Sequence, residues 1–218
     1  MPRLALFDLD HTLIPFDSGL AWTRFLIDSG RLPLDAEPRY LDFCHQYVAG
    51  TLDIRAMHRA SVAPLAAHSS DEVRAWARQF EPSMAPRIPA NRLALVRAHQ
   101  QAGDLCAIVT ATTAFIAEPF ARLFGVVDLL ATQPAMRGGA FNGEIVGEPC
   151  FREHKLTHVQ TWLAQRGTRL DDFEETWFYS DSVSDLTLLS AVTHPVAVCP
   201  DDRLRTRAVE QGWPVIDF

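Results

Sequence analysis

The chain has 218 residues and a mass of 24.4 kDa, which fits one sizeable domain, or one domain with a smaller insertion, and argues against collagen, repeat arrays and disulfide miniproteins. Hydrophobic residues make up 48% and charged residues 22% of the sequence, an ordinary globular composition rather than that of a disordered chain. The 20 basic and 27 acidic residues leave a net charge of −7, so nucleic acid is not the expected partner.

The cysteines and the apolar runs exclude further classes. The four cysteines are far apart and no histidine stands at metal-ligand spacing, so neither a disulfide framework nor a zinc site is predicted. We expect four buried, reduced thiols, at Cys44, Cys106, Cys150 and Cys199. The N-terminal apolar run is too short for a signal peptide, and no later run reaches membrane-spanning length. We therefore expect a cytoplasmic protein with no membrane partner.

Four short apolar runs predict buried strands, and stretches of helical periodicity separate them. The runs are residues 4–7, 105–109, 176–179 and 195–198. This alternation predicts an α/β fold with a Rossmann-like, doubly wound parallel sheet. Because ligands bind beyond the carboxyl ends of the strands in such sheets, Asp8, Thr110 and Asp181, which follow the first three runs, are expected to converge.

The segment between the first two runs is far longer than one crossover helix requires. Residues 17–83 carry several amphipathic helical patterns broken at Gly30, Pro33, Gly50 and Pro64, so we predict an inserted all-helical cap domain there. Residues 1–16 and 84–218 are predicted to form the α/β core, with a scaffold helix over 87–101. Residues 140–147 alternate apolar and polar side chains around an Asn-Gly pair, which predicts a hairpin turning at that pair.

Two acidic clusters follow the first and third runs. Asp8 and Asp10 form the first, and Asp181 and Asp185 the second. A solvated turn would explain the first and a helix N-terminus the second. In one crevice, however, four carboxylates repel one another unless a cation neutralises them. Oxygen ligands select a hard divalent cation, so we predict a Mg²⁺ site.

Thr110 and Lys155 are candidate anion-binding residues. Thr110 precedes a predicted helix, where its hydroxyl and the following amides can hold an anion, although a simple N-cap also explains it. Lys155 is the one lysine among the 20 basic residues. That solitary lysine indicates a place where a compact ammonium, rather than a planar guanidinium, is needed.

Taken together, these motifs give the chain a family resemblance. The sequence resembles haloacid dehalogenase superfamily phosphohydrolases of the phosphoserine-phosphatase-like subfamily, which carry a helical cap between their first two motifs. The matching motifs are Phe7-Asp8-Leu9-Asp10-His11-Thr12-Leu13, Thr110, Lys155 and Ser180-Asp181-Ser182-Val183-Ser184-Asp185. They occur in the family's order and span nearly the whole chain.

The resemblance implies a role for each catalytic candidate. Asp8 would be the nucleophile that becomes an aspartyl phosphate, and Asp10 the general acid and then the general base. Thr110 and Lys155 would hold the transferring phosphoryl oxygens, where charge stabilisation counts most. The remaining implied phosphate contacts are Leu9 and Ala111. An acid two residues after the nucleophile favours a phosphomonoester over the halogenated substrates of the dehalogenases.

The resemblance also implies the ligands of the metal. Asp8, Asp181 and the backbone carbonyl of Asp10 would bind Mg²⁺, and Asp185 would support them from a second layer.

Substrate recognition departs from that of phosphoserine phosphatases. Asp17 stands where those enzymes carry the glutamate that binds the substrate amine. Arg55 and Arg59 lie near, but not at, the position of their carboxylate-binding arginine, which aligns with Ser61. We therefore hypothesise an amine-bearing phosphomonoester without a neighbouring carboxylate, such as an amino-alcohol phosphate of the histidinol phosphate kind. Four aromatic residues of the cap are expected simply to pack its helices: Trp22, Tyr40, Phe43 and Tyr47.

Three functions remain open at this point. The favoured one is a Mg²⁺-dependent phosphatase whose partner is a small phosphomonoester, acting as a monomer or homodimer. A phosphomutase or phosphotransferase would use the same core, with a hydroxyl in place of water as acceptor. A catalytically silent protein that binds a phosphorylated ligand is the third, since a fold alone does not imply activity.

Overall fold

The computed structural model describes residues 2–218. The first half of the chain forms β1 (Arg3–Phe7), α1 (Ser18–Asp28), α2 (Ala36–Val48), α3 (Ile54–Val62), α4 (Ser70–Met84), α5 (Ala90–Gln101), β2 (Leu105–Thr113), α6 (Ala114–Phe124) and β3 (Asp128–Thr132). The second half forms β4 (Pro134–Arg137), β5 (Ala140–Ile145), α7 (His154–Gln165), β6 (Glu175–Ser180), α8 (Leu186–Leu189), β7 (His194–Val198), α9 (Asp202–Gln211) and β8 (Val215–Ile216).

Across the described residues, six strands form one sheet in the order β3-β2-β1-β6-β7-β8. Every neighbouring pair in it is parallel. The chain starts at the centre with β1, builds outward to β3, and then crosses to β6 on the other side. The predicted α/β fold with a doubly wound parallel sheet is confirmed, and its switch point lies where β1 and its neighbours end.

The central strand explains why its sequence is uniformly apolar. Ala5 and Phe7 belong to the apolar cluster on one face of the sheet, whereas Leu4 and Leu6 belong to the cluster on the other face. All four side chains are fully buried. A strand covered by helices on both faces needs apolar residues at every position, which produces a continuous run instead of an alternating one.

The second strand continues beyond its predicted end at residue 109. It extends to Thr113, and its pairing with β3 shifts register between Thr110 and Thr113. Three of the four residues in this extension are threonines, whose branched side chains favour extended backbone. Helix α6 therefore begins at Ala114, and the residues after Thr110 belong to the strand and not to a helix N-terminus.

The predicted hairpin exists, but its turn was placed wrongly. The chain reverses at Gly138 and Gly139, which have φ values of +60° and +82°, as a two-residue turn between antiparallel strands requires. The Asn-Gly pair lies inside β5. Its glycine, Gly143, has a φ of +82°, in the left-handed region that favours glycine. The glycine is explained by its backbone conformation within the strand and not by a hairpin turn.

Between β1 and α5 the chain forms the helices α1 to α4, broken near the predicted positions. An aromatic cluster joins two of them to the helix that follows β2. The ring of Phe80 in α4 lies 5.5 Å from that of Trp22 in α1 and 5.8 Å from that of Phe120 in α6. The division into a cap and a core at residues 17 and 84 stays a prediction.

Two further sequence expectations have mixed outcomes. All four cysteines are free, but only Cys150 is fully buried, and the other three are partly exposed. None of the helices within residues 2–218 has the length and apolar character needed to cross a membrane.

The aromatic cluster generates a stability prediction. Phe80→Ala should lower the free energy of unfolding by about 3–5 kcal/mol, because it leaves a cavity where α1, α4 and α6 meet. Leu34→Ala is the control, since Leu34 is 83% exposed, and should change stability by less than about 0.5 kcal/mol. Urea unfolding followed by fluorescence measures both. Equal losses in the two variants would contradict the packing described above.

Candidate active site

The ends of the central strands open into one large cavity. It has a volume of about 1130 Å³. The predicted catalytic and metal-binding side chains that line it are Asp8, Asp10, Thr110, Lys155, Asp181 and Asp185, together with Ala111 and Asp17. Leu9 is an exception, because its side chain is fully buried in the core and only its backbone can face a ligand.

Lys155 lies between two carboxylates. Its Nζ is 2.7 Å from Oδ1 of Asp8 and 2.7 Å from Oδ2 of Asp185. The Ser180 hydroxyl donates a further bond of 2.7 Å to the same Asp185 oxygen. The lysine is only 3% exposed. Burial favours the neutral amine, but the ion pairs outweigh it and hold the pKa of Lys155 well above its ordinary value.

Asp8 and Asp181 converge on one hydroxyl group. The Oγ1 of Thr12 lies 3.5 Å from Oδ2 of Asp8 and 3.3 Å from Oδ1 of Asp181. Burial raises the pKa of Asp181 well above its ordinary value, and the neighbouring Asp8 and Asp185 raise it further. Burial also raises the pKa of Asp185 to about 6, although Lys155 acts in the opposite direction. This cluster holds more negative charge than one lysine can neutralise.

The donor set suits a hard divalent cation. No three His, Cys, Asp or Glu side chains among residues 2–218 are arranged to hold a metal ion. The predicted ligands, Asp8, Asp181 and the Asp10 carbonyl, combine only two carboxylates with a backbone oxygen, and they stay a prediction. A further indication of unmet polar demand is Oδ1 of Asp185, which is buried without a hydrogen-bond partner in the described chain.

Asp10 has an environment different from that of Asp8. Its Oδ1 accepts the backbone N–H of Ser18 at 2.5 Å, and its Oδ2 accepts the Thr112 hydroxyl at 2.6 Å. Burial raises the pKa of Asp10, and the nearby Asp17 raises it further. These hydrogen-bond donors are neutral, whereas Asp8 is paired with a cation. The two carboxyl groups of the first motif are therefore differentiated by their partners.

Asp17 has a structural task besides lining the cavity. It is the N-cap of α1: its Oδ1 accepts the Leu20 N–H at 2.7 Å, and also the Tyr40 hydroxyl at 2.9 Å. No hydrogen bond from a described residue reaches its other oxygen, Oδ2. Helix capping alone accounts for an acid at this position, and it leaves one oxygen available to a ligand.

The structure does not bring Arg55 and Arg59, the predicted specificity residues of α3, to the cavity. Neither is among the described residues that line the cavity. Arg55 pairs with Glu148 at 2.9 Å, and Arg59 pairs with Glu144 at 3.1 Å, all at exposed positions. Residues four apart lie on the same face of a helix, and this face of α3 is turned toward the hairpin. Both guanidinium groups tie the helix to the hairpin region.

The cap aromatics are also not alike. Trp22 is buried in the core as expected, and the Tyr40 ring is buried but bonds to Asp17. Tyr47 instead reaches the fourth motif, where its hydroxyl donates to Oγ of Ser182 at 2.7 Å and lies 3.1 Å from Oγ of Ser184. The expectation that Tyr47 merely packs between helices is wrong, because its polar end bridges to the core.

Sequence reasoning missed several residues that hold the site together. Thr12 is visible in the first motif but had no assigned role. Arg92, buried in α5, donates to the backbone carbonyls of His11 and Thr12 and so holds the turn that carries Thr12. Ser18 and Thr112 contact Asp10 from positions 8 and 102 residues away in the chain.

The buried ion pairs generate a second stability prediction. Lys155→Met should lower the free energy of unfolding by about 3–5 kcal/mol at neutral pH, because it leaves Asp8 and Asp185 buried without a cation. The deficit should shrink as the pH falls from about 7 to about 5, since the folded variant then binds protons that the unfolded chain has released.

Urea unfolding at several pH values checks this prediction. The double variant Lys155→Met/Asp185→Asn is the control and should regain part of the loss, because one of the two uncompensated charges is removed. A deficit that grew at lower pH would contradict the electrostatic explanation.

Comparison with known proteins places this geometry in a family. The protein-family sequence model of the haloacid dehalogenase-like hydrolases matches residues 5–190. Over the full length of both chains, the protein is 40% identical to a histidinol-phosphatase of Neisseria meningitidis.

Two solved structures share the fold. A protein of unknown function from Bordetella pertussis has a TM-score of 0.92 and 46% identity, covering 100% of this chain and 99% of its own. A substrate-bound phosphoserine phosphatase has a TM-score of 0.67 and 16% identity, covering 99% of this chain and 93% of its own. The chain therefore belongs to the haloacid dehalogenase-like hydrolase family and is a hydrolase whose curated relatives include phosphatases.

Proposed function

We propose that the protein is a Mg²⁺-dependent phosphatase that hydrolyses a small phosphomonoester in the cytoplasm through an aspartyl phosphate. One observation carries this proposal. Two carboxyl groups of the same cavity have opposite partners: Asp8 is bound to the buried Lys155 ammonium, whereas Asp10 is held by neutral donors. Burial raises the pKa of both carboxyl groups, but at Asp8 the Lys155 ammonium opposes this effect and favours the ionised form, so Asp8 suits a nucleophile and Asp10 a proton donor.

In the first half-reaction, an ionised oxygen of Asp8 attacks phosphorus. The bond between phosphorus and the ester oxygen breaks, and that oxygen takes the proton of Asp10 and leaves as an alcohol. The products of this step are the acyl phosphate of Asp8, the free alcohol and ionised Asp10. Lys155 and Thr110 lie where they can hold the phosphoryl oxygens, whose charge the ammonium stabilises.

In the second half-reaction, Asp10 accepts a proton from water while the water oxygen attacks the aspartyl phosphate. The bond between phosphorus and Asp8 breaks, inorganic phosphate leaves, and both carboxyl groups return to their starting forms. The sum is hydrolysis of one ester bond. The same carboxyl group therefore serves as acid and then as base.

Mg²⁺ would be held by Asp8, Asp181 and the Asp10 carbonyl, and when bound it supplies positive charge that neutralises the carboxylates and the phosphate. The Thr12 hydroxyl lies between the carboxylates of Asp8 and Asp181, within hydrogen-bond distance of each. Asp185 holds Lys155 from the opposite side to Asp8.

The charge of the cavity supports an amine-bearing substrate. Of the described residues that line it, eight are acidic and three are Lys or Arg. A divalent cation and a phosphate dianion offset each other, so an acidic surplus remains and favours a substrate with a cationic group. Asp17 is the proposed partner of that group, through Oδ2. The full-length relative named a histidinol-phosphatase supports the same substrate class, because histidinol phosphate is an amino-alcohol ester.

Phosphate release from a panel of phosphomonoesters tests the reaction. Release should require Mg²⁺, stop with a chelator, and fall by at least about 10³-fold in Asp8→Asn, because no nucleophile remains. The control is Asp42→Asn, at an exposed position of α2. Acid quenching during turnover should trap the phosphorylated protein. Binding of phosphorylated ligands without release from any ester would favour the silent ligand-binding alternative, and transfer to an added alcohol in place of water would favour a phosphotransferase.

Recognition of the amine is tested with Asp17→Asn. Asparagine also caps helices, so α1 should remain intact while the negative charge is lost. The KM for histidinol phosphate should rise by about 10-fold, equivalent to about 1.4 kcal/mol, and the KM for its N-acetylated form should not change.

The matched control for Asp17→Asn is Asp53→Asn. Asp53 caps α3 in the same way, with bonds to the Arg55 and Ala56 amides, and it is not among the described residues lining the cavity. Equal effects of Asp17→Asn on the charged and the acetylated ester would contradict the role of Asp17.

A further inference from the structure

We propose that Thr112 is a positioning residue that orients the Asp10 carboxyl group toward the oxygen of the departing alcohol. This inference rests on the proposed function, in which Asp10 is the leaving-group acid. Thr112 belongs to β2 and does not contact the phosphoryl group in the proposed mechanism. Thr112 lies two residues beyond Thr110, in the part of the strand where pairing with β3 is irregular.

Asp10 is held at both of its oxygens. The Thr112 hydroxyl donates to Oδ2 at 2.6 Å, and the Ser18 amide donates to Oδ1 at 2.5 Å. The hydroxyls of Ser18 and Thr112 are 3.0 Å apart, so the two supports also contact each other. Two bonds from opposite ends of a carboxyl group fix its plane as well as its position. Neither donor belongs to the loop that carries Asp10.

The backbone of Thr112 is itself held in place by a hydrogen bond. Its backbone N–H donates to Oγ1 of Thr110 at 3.2 Å, and Thr110 is almost fully buried. The neighbouring Thr113 points elsewhere, with its hydroxyl 3.1 Å from Nδ1 of the buried His58. Adjacent threonines of one strand therefore serve different partners. Of these two threonines, Thr112 is the one that bonds to Asp10.

A positioning role differs in its consequences from a merely structural one. Proton donation matters for an alkyl ester, whose alkoxide is a poor leaving group, and matters little for p-nitrophenyl phosphate, whose phenolate leaves unprotonated. Misplacing the acid should slow the reaction of the alkyl ester and leave that of p-nitrophenyl phosphate unchanged. A general loosening of the site would slow both. The ratio of kcat/KM for the two esters separates these cases, because kcat/KM reports the steps up to departure of the alcohol.

The test uses Thr112→Val, which removes the hydroxyl and keeps the branched shape. For an alkyl phosphate, kcat/KM should fall by about 10- to 100-fold, a part of what general acid catalysis supplies. For p-nitrophenyl phosphate it should fall by less than about twofold, since the displaced acid is not needed. Thr112→Ser should restore the alkyl rate, because it returns the hydroxyl. Thr113→Val is the matched control and should leave the ratio of the two esters unchanged.

Asp10→Asn separates failure of this inference from failure of the proposed function. In the Asp10→Asn background, adding Thr112→Val should produce no further selective loss, because the group that Thr112 orients is gone. Selective loss in Asp10→Asn with equal losses of both esters in Thr112→Val would overturn the role of Thr112 alone. Equal losses of both esters in Asp10→Asn would overturn the acid role of Asp10 and this inference with it. Failure of Thr112→Ser to restore the rate would also overturn it.

Discussion

The buried ammonium of Lys155 is the interaction on which the site depends. The doubly wound sheet brings Asp8 at the end of β1 and Asp185 beyond β6 to the same edge, where their charges would oppose folding if left alone. A lysine with two contacts of 2.7 Å makes this arrangement stable. Its single compact charge fits between two carboxylates, a geometry that the planar guanidinium of arginine does not match. The arrangement of the candidate site and the stability of the fold therefore depend on the same side chain, Lys155.

A second constraint lies at the beginning of α1, the first helix after β1. The start of α1 is capped by Asp17, and the amide of its first residue, Ser18, is bonded to Asp10. The helix N-terminus thus donates directly to a carboxyl group of the candidate catalytic motif, so any displacement of α1 changes the surroundings of Asp10. Tyr47 of α2 makes a separate connection to the fourth motif. The inserted helices and the motifs of the sheet are joined by individual hydrogen bonds at these two places.

The sequence predicted the sheet and the residues that follow its central strands, because a strand buried on both faces is apolar throughout and polar residues mark its end. It did not reveal which groups hold Asp10, since Thr112 is 102 residues away in the chain and had no assigned role. At two places, local sequence patterns did not reveal where the residues lie in the structure. The Asn-Gly pair resembled a turn, but it lies inside β5, where Gly143 has a φ of +82°. Arg55 and Arg59 are close in sequence to the expected recognition position, but the helix directs both toward the hairpin.

The solitary lysine also makes the protein a reporter of its own unfolding. A protease that cuts only after lysine has a single target bond in this chain, and the side chain it must bind is only 3% exposed at the start of α7. Cleavage requires that this region open, and it then separates the first three motifs from the fourth. The rate of that single cut reports the opening of the segment around Lys155.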